Sequence, residues 1–266
     1  MEEVEVFVKW FEDLRIEDVP SVGGKNASLG EMIRNLGEKG VSVPGGFAVT
    51  AYAYKYTIEK AEIDKKIKEI LSDLDTHNVH NLAERGEKIR NLIKNTPLPP
   101  ELEQDIRKRY REMEDRYGKN VDVAVRSSAT AEDLPKARFA GQQETYLNVS
   151  GASALLDATR KCWASLWTGR AIAYRARQGI APEEVALAVV VQLLAPAEAA
   201  GILFTANPIS GRRDQMLVSA SWGLGEAVVG GGVLSATGLG GSEGAELAGG
   251  AASAHPRPRG RRTPSR

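Results

Sequence analysis

Cysteine is nearly absent: Cys162 stands alone among 266 residues, which excludes an internal disulfide and a cysteine zinc cage and suits a reducing compartment. Net charge is absent too. The chain balances 35 basic against 35 acidic residues, so nothing in its electrostatics draws it to nucleic acid or to an anionic membrane surface. Histidine is scarce, and His77 and His80 have no third ligand near them in sequence, which favours surface positions over a metal pair. No apolar run approaches the roughly 20 residues that span a bilayer, and the N-terminus, rich in Glu and Lys, carries no apolar signal region. These absences leave a cytosolic globular protein, long enough for one large domain or two modest ones.

What is present is concentrated between Val121 and Val149, in VDVAVRSSATAEDLPKARFAGQQETYLNV. Val121, Val123 and Val125 alternate as in a half-buried strand, which predicts delivery of Arg126 to an edge. Ser127, Ser128, Thr130, Glu132, Asp133 and Pro135 then predict a turn that continues neither helix nor strand. Gly141 follows, and Thr145, Tyr146, Leu147 and Val149 resume a strand. Strand, polar loop, glycine and strand is a layout suited to phosphate. A guanidinium offers a planar fork of donors, and a glycine lets backbone amides approach a ligand. The same residues also suit a solvated strand end with a capping serine.

Elsewhere the pattern is mostly architectural. Residues 4–11 suit a first strand, and Val22-Gly23-Gly24-Lys25-Asn26 precedes a helical stripe of Leu29, Met32, Ile33 and Leu36 stopped by Gly37. Lys25 thus falls at a helix start, where unpaired amides and the positive end of the dipole favour an anion; a loop lysine in water is the plain alternative. Pro44, Gly45 and Gly46 lead into a short strand, Phe47 to Thr50, with Thr50 placed to cap the next helix. Three apolar stripes make residues 51–118 a helical subregion with solvated charged faces, broken by Pro97, Pro99 and Pro100. Trp163 and Trp167 accompany a further stripe as core, and Arg170, Arg175 and Arg177 lie on the next helix, closed by Gly179 and Pro182. Ala186 to Leu194 reads as a buried strand interrupted by Gln192, whose amide must be hydrogen-bonded to backbone or to a ligand. Gly201–Thr205 and Met216–Ala220 supply two more strands. Glu226, in the glycine-rich turn at Trp222, is placed to face a metal or to cap a helix. After Val233 glycine, alanine, proline and arginine dominate, and residues 234–266 are expected to be a disordered tail.

Taken in order, GGKNASLGEM, VPGGFAVT, AVRSSATAEDLPKARFAGQQETYLNV, CWASLWTGRAIAYR, VVVQ, GILFTANP and WGLGEAVVGG resemble the N-terminal nucleotide-binding domain of the pyruvate dikinase superfamily, most closely its phosphoenolpyruvate synthases. The resemblance covers Val22 to Val233. It implies an α+β fold of the ATP-grasp type over residues 1–233, incomplete at its C-terminal end, with ATP and Mg2+ as cofactors. It also implies a reaction in which ATP phosphorylates a histidine on a swivelling domain before the phosphoryl group reaches pyruvate. By the same resemblance Lys25 and Arg126 are the catalytic phosphate-contacting cations, Gly141, Thr145 and Tyr146 line the nucleotide, and Gln192 is a hinge residue near adenine. Glu226 is the carboxylate candidate for the metal. The family's late carboxylate, its phosphohistidine domain and its pyruvate-binding domain have no counterpart in this sequence, and His255 does not match the phosphohistidine motif. A nucleotide-binding module without turnover, or the ATP-binding domain of a related enzyme such as a rifampin phosphotransferase, remain alternatives.

Overall fold

The computed structural model describes residues 5–130, 144–181, 186–229 and 236–241. Gly141, with the acidic part of the loop before it, lies outside them. Two compact units divide the chain, Met1–Leu194 and Ala195–Arg266.

In the first unit, β1 (Val8–Trp10) runs into a short 3-10 turn and α1 (Val19–Leu36), followed by β2 (Gly46–Val49). Four helices follow: α2 (Ala51–Lys60), α3 (Ile63–Leu71), α4 (Val79–Asn95) and α5 (Pro100–Tyr117). Their starts have local causes. The Thr50 hydroxyl accepts from Ala53 N, and the Asn78 carboxamide accepts from His80 N and Asn81 N. Pro100, with no N–H to leave unpaired, begins α5. Next come β3 (Val123–Ala129), β4 (Thr145–Val149), α6 (Ala152–Ala164), α7 (Gly169–Gln178), which ends on left-handed Gly179, and β5 (Leu187–Leu193).

The strands form one antiparallel sheet in the order β1-β2-β5-β3-β4. The expectation that Arg126 sits at an edge is therefore corrected. β3 pairs on both sides, with Arg126 opposite Val190 of β5 and Thr145 of β4. Ser127 and Ser128, expected in a turn, continue the strand because β5 supplies a ladder as far as Ala129. Pairing overrides the weak strand propensity of serine.

Both sheet faces are covered, which is why β5 reads as a nearly unbroken apolar run. Val123, Val125, Val189 and Val191 join the main core with Ile89, Ile106, Tyr110, Met113, Leu155, Trp163 and Trp167 from the helical side. Ala48 and Val190 face the other way, onto Val22 and Ala27 of α1 and onto Phe11 and Leu14. Both tryptophans are core, as their helical spacing predicts, and Trp167 Nε1 donates to Tyr54 OH at 3.1 Å. His77 and His80 are exposed.

The second unit contains β6 (Ala199–Phe204), β7 (Gln215–Trp222), α8 (Gly225–Val229) and β8 (Ala236–Gly241). β7 lies between β6 and β8, antiparallel to both. The β6–β7 turn is held by Asn207, whose side-chain oxygen accepts from Ile209 N and Ser210 N. β8 moves the boundary proposed at residue 234: Ala236–Gly241 pairs with Gln215–Ala220. Main-chain pairing of this kind needs no large side chain, so the small residues of this stretch hid the strand. Among the described residues no helix is long and apolar enough to cross a membrane.

Candidate functional site

Polar chemistry in the first unit gathers on the sheet face beneath α1. Strand alternation decides membership. Arg126 and Ser128 of β3 point to the same face as Ala188, Val190 and Gln192 of β5, with which they are in register, and as Thr145 of β4, opposite Arg126.

α1 closes over this face through a break in its own helix. Gly23 has φ 77° and ψ 160°, and a Cβ there would lie 2.6 Å from the Ser128 carbonyl oxygen. Glycine is needed for the positive φ and for the close approach alike. The helix restarts past the break, and the Lys25 ammonium donates to the Ser127 carbonyl at 3.0 Å, beside Arg126. Asn26, fully buried, donates through Nδ2 to Val22 O at 2.7 Å, which ties the restarted helix to the turn before the break.

Arg126 is held by a neutral partner. Its Nη2 donates to Gln192 Oε1, while Gln192 Nε2 donates to the Pro44 carbonyl at 3.0 Å. Burial pulls the Arg126 pKa below its ordinary value; it nevertheless stays a cation at neutral pH, because arginine starts so high. Among the described residues, Arg126 Nε, Ser128 Oγ and Asn26 Oδ1 are buried without a hydrogen-bond partner. Orphaned polar atoms are rare in native interiors and call for an explanation such as a ligand or water. A planar cation held by a neutral amide, a lysine at a helix start and a glycine-lined backbone together suit a phosphate group.

Of the sequence-predicted site residues, Lys25, Arg126, Thr145 and Gln192 are thus placed on or at this face. Tyr146 is not. One residue along β4 from Thr145, it turns to the helical side, packs against the main core and has the Lys161 ammonium 5.9 Å from its ring. Burial, reinforced by Glu144, pushes its pKa up to about 12. Glu226 lies in the first turn of α8, in the second unit. Among the described residues no group of three or more His, Cys, Asp or Glu is arranged to hold a metal. Cys162 is buried in the helical core, which raises its thiol pKa well above the ordinary range and fits a structural role.

Sequence reasoning missed Pro44, Asn26 and Ser128. Pro44 contributes only a carbonyl, and its signal was the pair of glycines after it: a Cβ on Gly46 would collide with the Val191 carbonyl, so the loop runs against β5. A surface groove of about 1150 Å³ lies elsewhere, between α3 and α4, and is lined by Ile63, Lys66, Asp73, Arg85 and Leu92. It is open and shares no residue with the Arg126 cluster, so chemistry rather than volume locates the site.

Comparison with known proteins identifies the family. The family model described as pyruvate phosphate dikinase, AMP/ATP-binding domain, matches residues 19–237, a range that includes Lys25, Arg126, Gln192 and the start of β8. Over 228 residues the chain is 50% identical to the probable phosphoenolpyruvate synthase of Staphylothermus marinus. It is 45% identical over 260 residues to the phosphoenolpyruvate synthase of Pyrococcus furiosus, and 50% identical over 233 residues to that of Synechocystis sp.. Each match covers 85% of this chain but only 27% to 31% of the relative.

Proposed function

Because the chain belongs to the pyruvate phosphate dikinase AMP/ATP-binding domain family, we propose that it holds ATP for a phosphoenolpyruvate synthase reaction, with Lys25 and Arg126 as the cations that contact the phosphates. The observation that carries this reading is Arg126 itself: a partly buried guanidinium whose described partner is an amide rather than a carboxylate, with its own Nε and, on the same strand face, Ser128 Oγ lacking a described partner. Its positive charge is left for a ligand. Phosphoryl transfer asks a protein mainly for positioning and charge neutralisation, and these residue types supply both.

The fold is proposed to be ATP-grasp, supported by the mixed α/β architecture and by the family. The nucleotide-binding domain is proposed to run through β8, with Thr145 and Gly141 toward the nucleotide. Mg2+ is proposed as the cofactor, with Glu226, in the second unit, as the chain's own carboxylate candidate for holding it. A magnesium ion commonly takes only one or two carboxylates beside phosphate and water, so the lack of a multi-acid cluster among the described residues is compatible with it. When bound, the ion would supply charge neutralisation at the phosphates. The single buried cysteine fits a cytoplasmic setting.

In the full reaction ATP, pyruvate and water become AMP, phosphoenolpyruvate and phosphate by way of a phosphohistidine. The acceptor histidine and the pyruvate site are proposed to belong to the part of the relatives that this chain does not span. The isolated chain should accordingly bind ATP without turnover. Calorimetry with ATP tests the site: Arg126→Ala should lose about 2–5 kcal/mol of binding free energy, and an unchanged affinity would refute the assignment. Incubation of the chain with ATP, Mg2+ and pyruvate should yield no AMP and phosphoenolpyruvate above a protein-free control.

A further inference from the structure

The resemblance gives Gln192 to the adenine, yet both polar ends of its side chain are already committed. Oε1 accepts from Arg126 Nη2 and Nε2 donates to the Pro44 carbonyl. The orientation is unambiguous, since a guanidinium can only donate and a carbonyl can only accept. With 5% of its surface exposed, the residue has little freedom to turn toward a base.

Backbone constraints hold the arrangement from behind. Gly46 pairs with Gln192 across β2 and β5, and a Cβ on Gly46 would lie 2.9 Å from Gln192 Cα. The Gly45 carbonyl accepts from Leu193 N at 2.9 Å, while Gly45 itself packs under the Tyr117 hydroxyl at the end of α5. The Pro44 carbonyl is therefore a fixed acceptor. It fixes the amide, and the amide fixes Arg126.

We propose that Gln192 is a positioning residue for Arg126: bridged to the Pro44 carbonyl, it aims the guanidinium across the sheet face as a preformed phosphate ligand without neutralising it. An amide suits this task better than a carboxylate. A glutamate would pair with the cation and, having no donor, would lose the Pro44 carbonyl, while an apolar residue would leave both the charge and its geometry unsupported. The proposal rests on the reading of Arg126 as a phosphate ligand, and it makes the role of Gln192 one of geometry rather than base recognition.

Two variants and two simple probes separate the possibilities. Gln192→Met keeps length and removes both polar ends; Gln192→Glu keeps an acceptor and adds charge. The probes are inorganic tripolyphosphate and adenosine, titrated calorimetrically, alongside nitrogen-15 NMR of the Arg126 guanidinium, identified by its loss in Arg126→Ala. In the Met variant tripolyphosphate affinity should fall about tenfold, adenosine affinity should stay unchanged, and the restrained guanidinium signals should average through free rotation. The Glu variant, which keeps the acceptor for Arg126, loses the donor to Pro44 and neutralises the cation, should lose at least as much tripolyphosphate affinity. If Gln192→Met weakens adenosine and leaves Arg126 restrained, Gln192 reads the base and the proposal is wrong. Should the Met variant not fold, the Glu variant decides alone: unchanged tripolyphosphate affinity overturns the proposal. If the unmodified chain binds neither ATP nor tripolyphosphate, the phosphate-site reading fails, whereas the NMR comparison still decides whether Gln192 orders Arg126.

Discussion

On one face of the five-stranded sheet Val123, Val125, Val189 and Val191 lie beneath the helices α2 to α7; on the other, Arg126, Ser128 and Gln192 alternate with Ala48 and Val190 beneath α1. The strands are the same and only the parity of the residue differs. The helical face contributes large apolar side chains, including Trp163, Trp167, Ile89 and Ile106, all at most 2% exposed. The α1 face is thin and polar and contains a helix break at Gly23; buried atoms without partners among the described residues occur on both faces, Ser128 Oγ here and Trp163 Nε1 and both Arg175 Nη atoms in the helical core. Each such atom costs about 1–3 kcal/mol when it stays unpaired. The difference lies in apolar burial, which the helical face supplies in quantity and the α1 face does not, a division of labour between stability and binding.

The largest effect expected from this division is on the helical face. Ile106 is fully buried in α5, and Ile106→Ala should remove about 2–5 kcal/mol of stability, measured by urea denaturation, while the folded fraction keeps its ATP affinity. A parallel loss of affinity would show that the two faces are coupled. A middling effect belongs to the α1 face. Gly23→Ala must accept φ 77° and a clash with the Ser128 backbone, at about 1–3 kcal/mol. In contrast to Ile106→Ala, it should also weaken ATP binding, because Lys25 two residues on would shift from the Ser127 carbonyl; a variant that is destabilised but binds normally would break the comparison.

The smallest effect concerns ionisation inside the helical core. Burial pushes Tyr54 up to about 12 and Arg175, whose guanidinium stacks 4.7 Å from the Trp167 ring, down to about 10. Tyr54 keeps a proton in the folded state that the unfolded chain loses, so its contribution to stability declines as pH rises from about 10 through about 12. Arg175 has the opposite sign: over the same window the unfolded chain binds the extra proton, and stability rises. The two should nearly cancel. Tyr54→Phe leaves only the Arg175 contribution, so its Tm should fall less than that of the unmodified chain between about pH 10 and about pH 12 in scanning calorimetry. Equal slopes would mean that Tyr54 is not a buried neutral phenol.

Much of this was legible in advance, and what was legible was local. Helical stripes such as Leu102, Ile106, Tyr110 and Met113 announce α5 because one face of a helix repeats every three or four residues. The glycine pair before Lys25 read as a helix start, whereas α1 already begins at Val19 and breaks at Gly23; the polar residue inside β5 announced a hydrogen-bonded amide. Errors arose where a partner strand decided the outcome. Ser127, Ser128 and Ala129 look like the start of a loop until β5 pairs with them, and Ala236–Gly241 looks like a featureless tail until β7 does.

By itself, then, the sequence determined the helices, the family and the residue types able to meet a phosphate, because each of these is written in short stretches of neighbouring residues. It could not determine which of them share a face. Arg126 and Gln192 are separated by 66 positions, and Thr145 and Tyr146 are adjacent but opposed. Only the tertiary structure decided those relations, since a sheet has period two and a register set by pairing between distant strands; a shift of one residue would have sent Arg126 into the helical core.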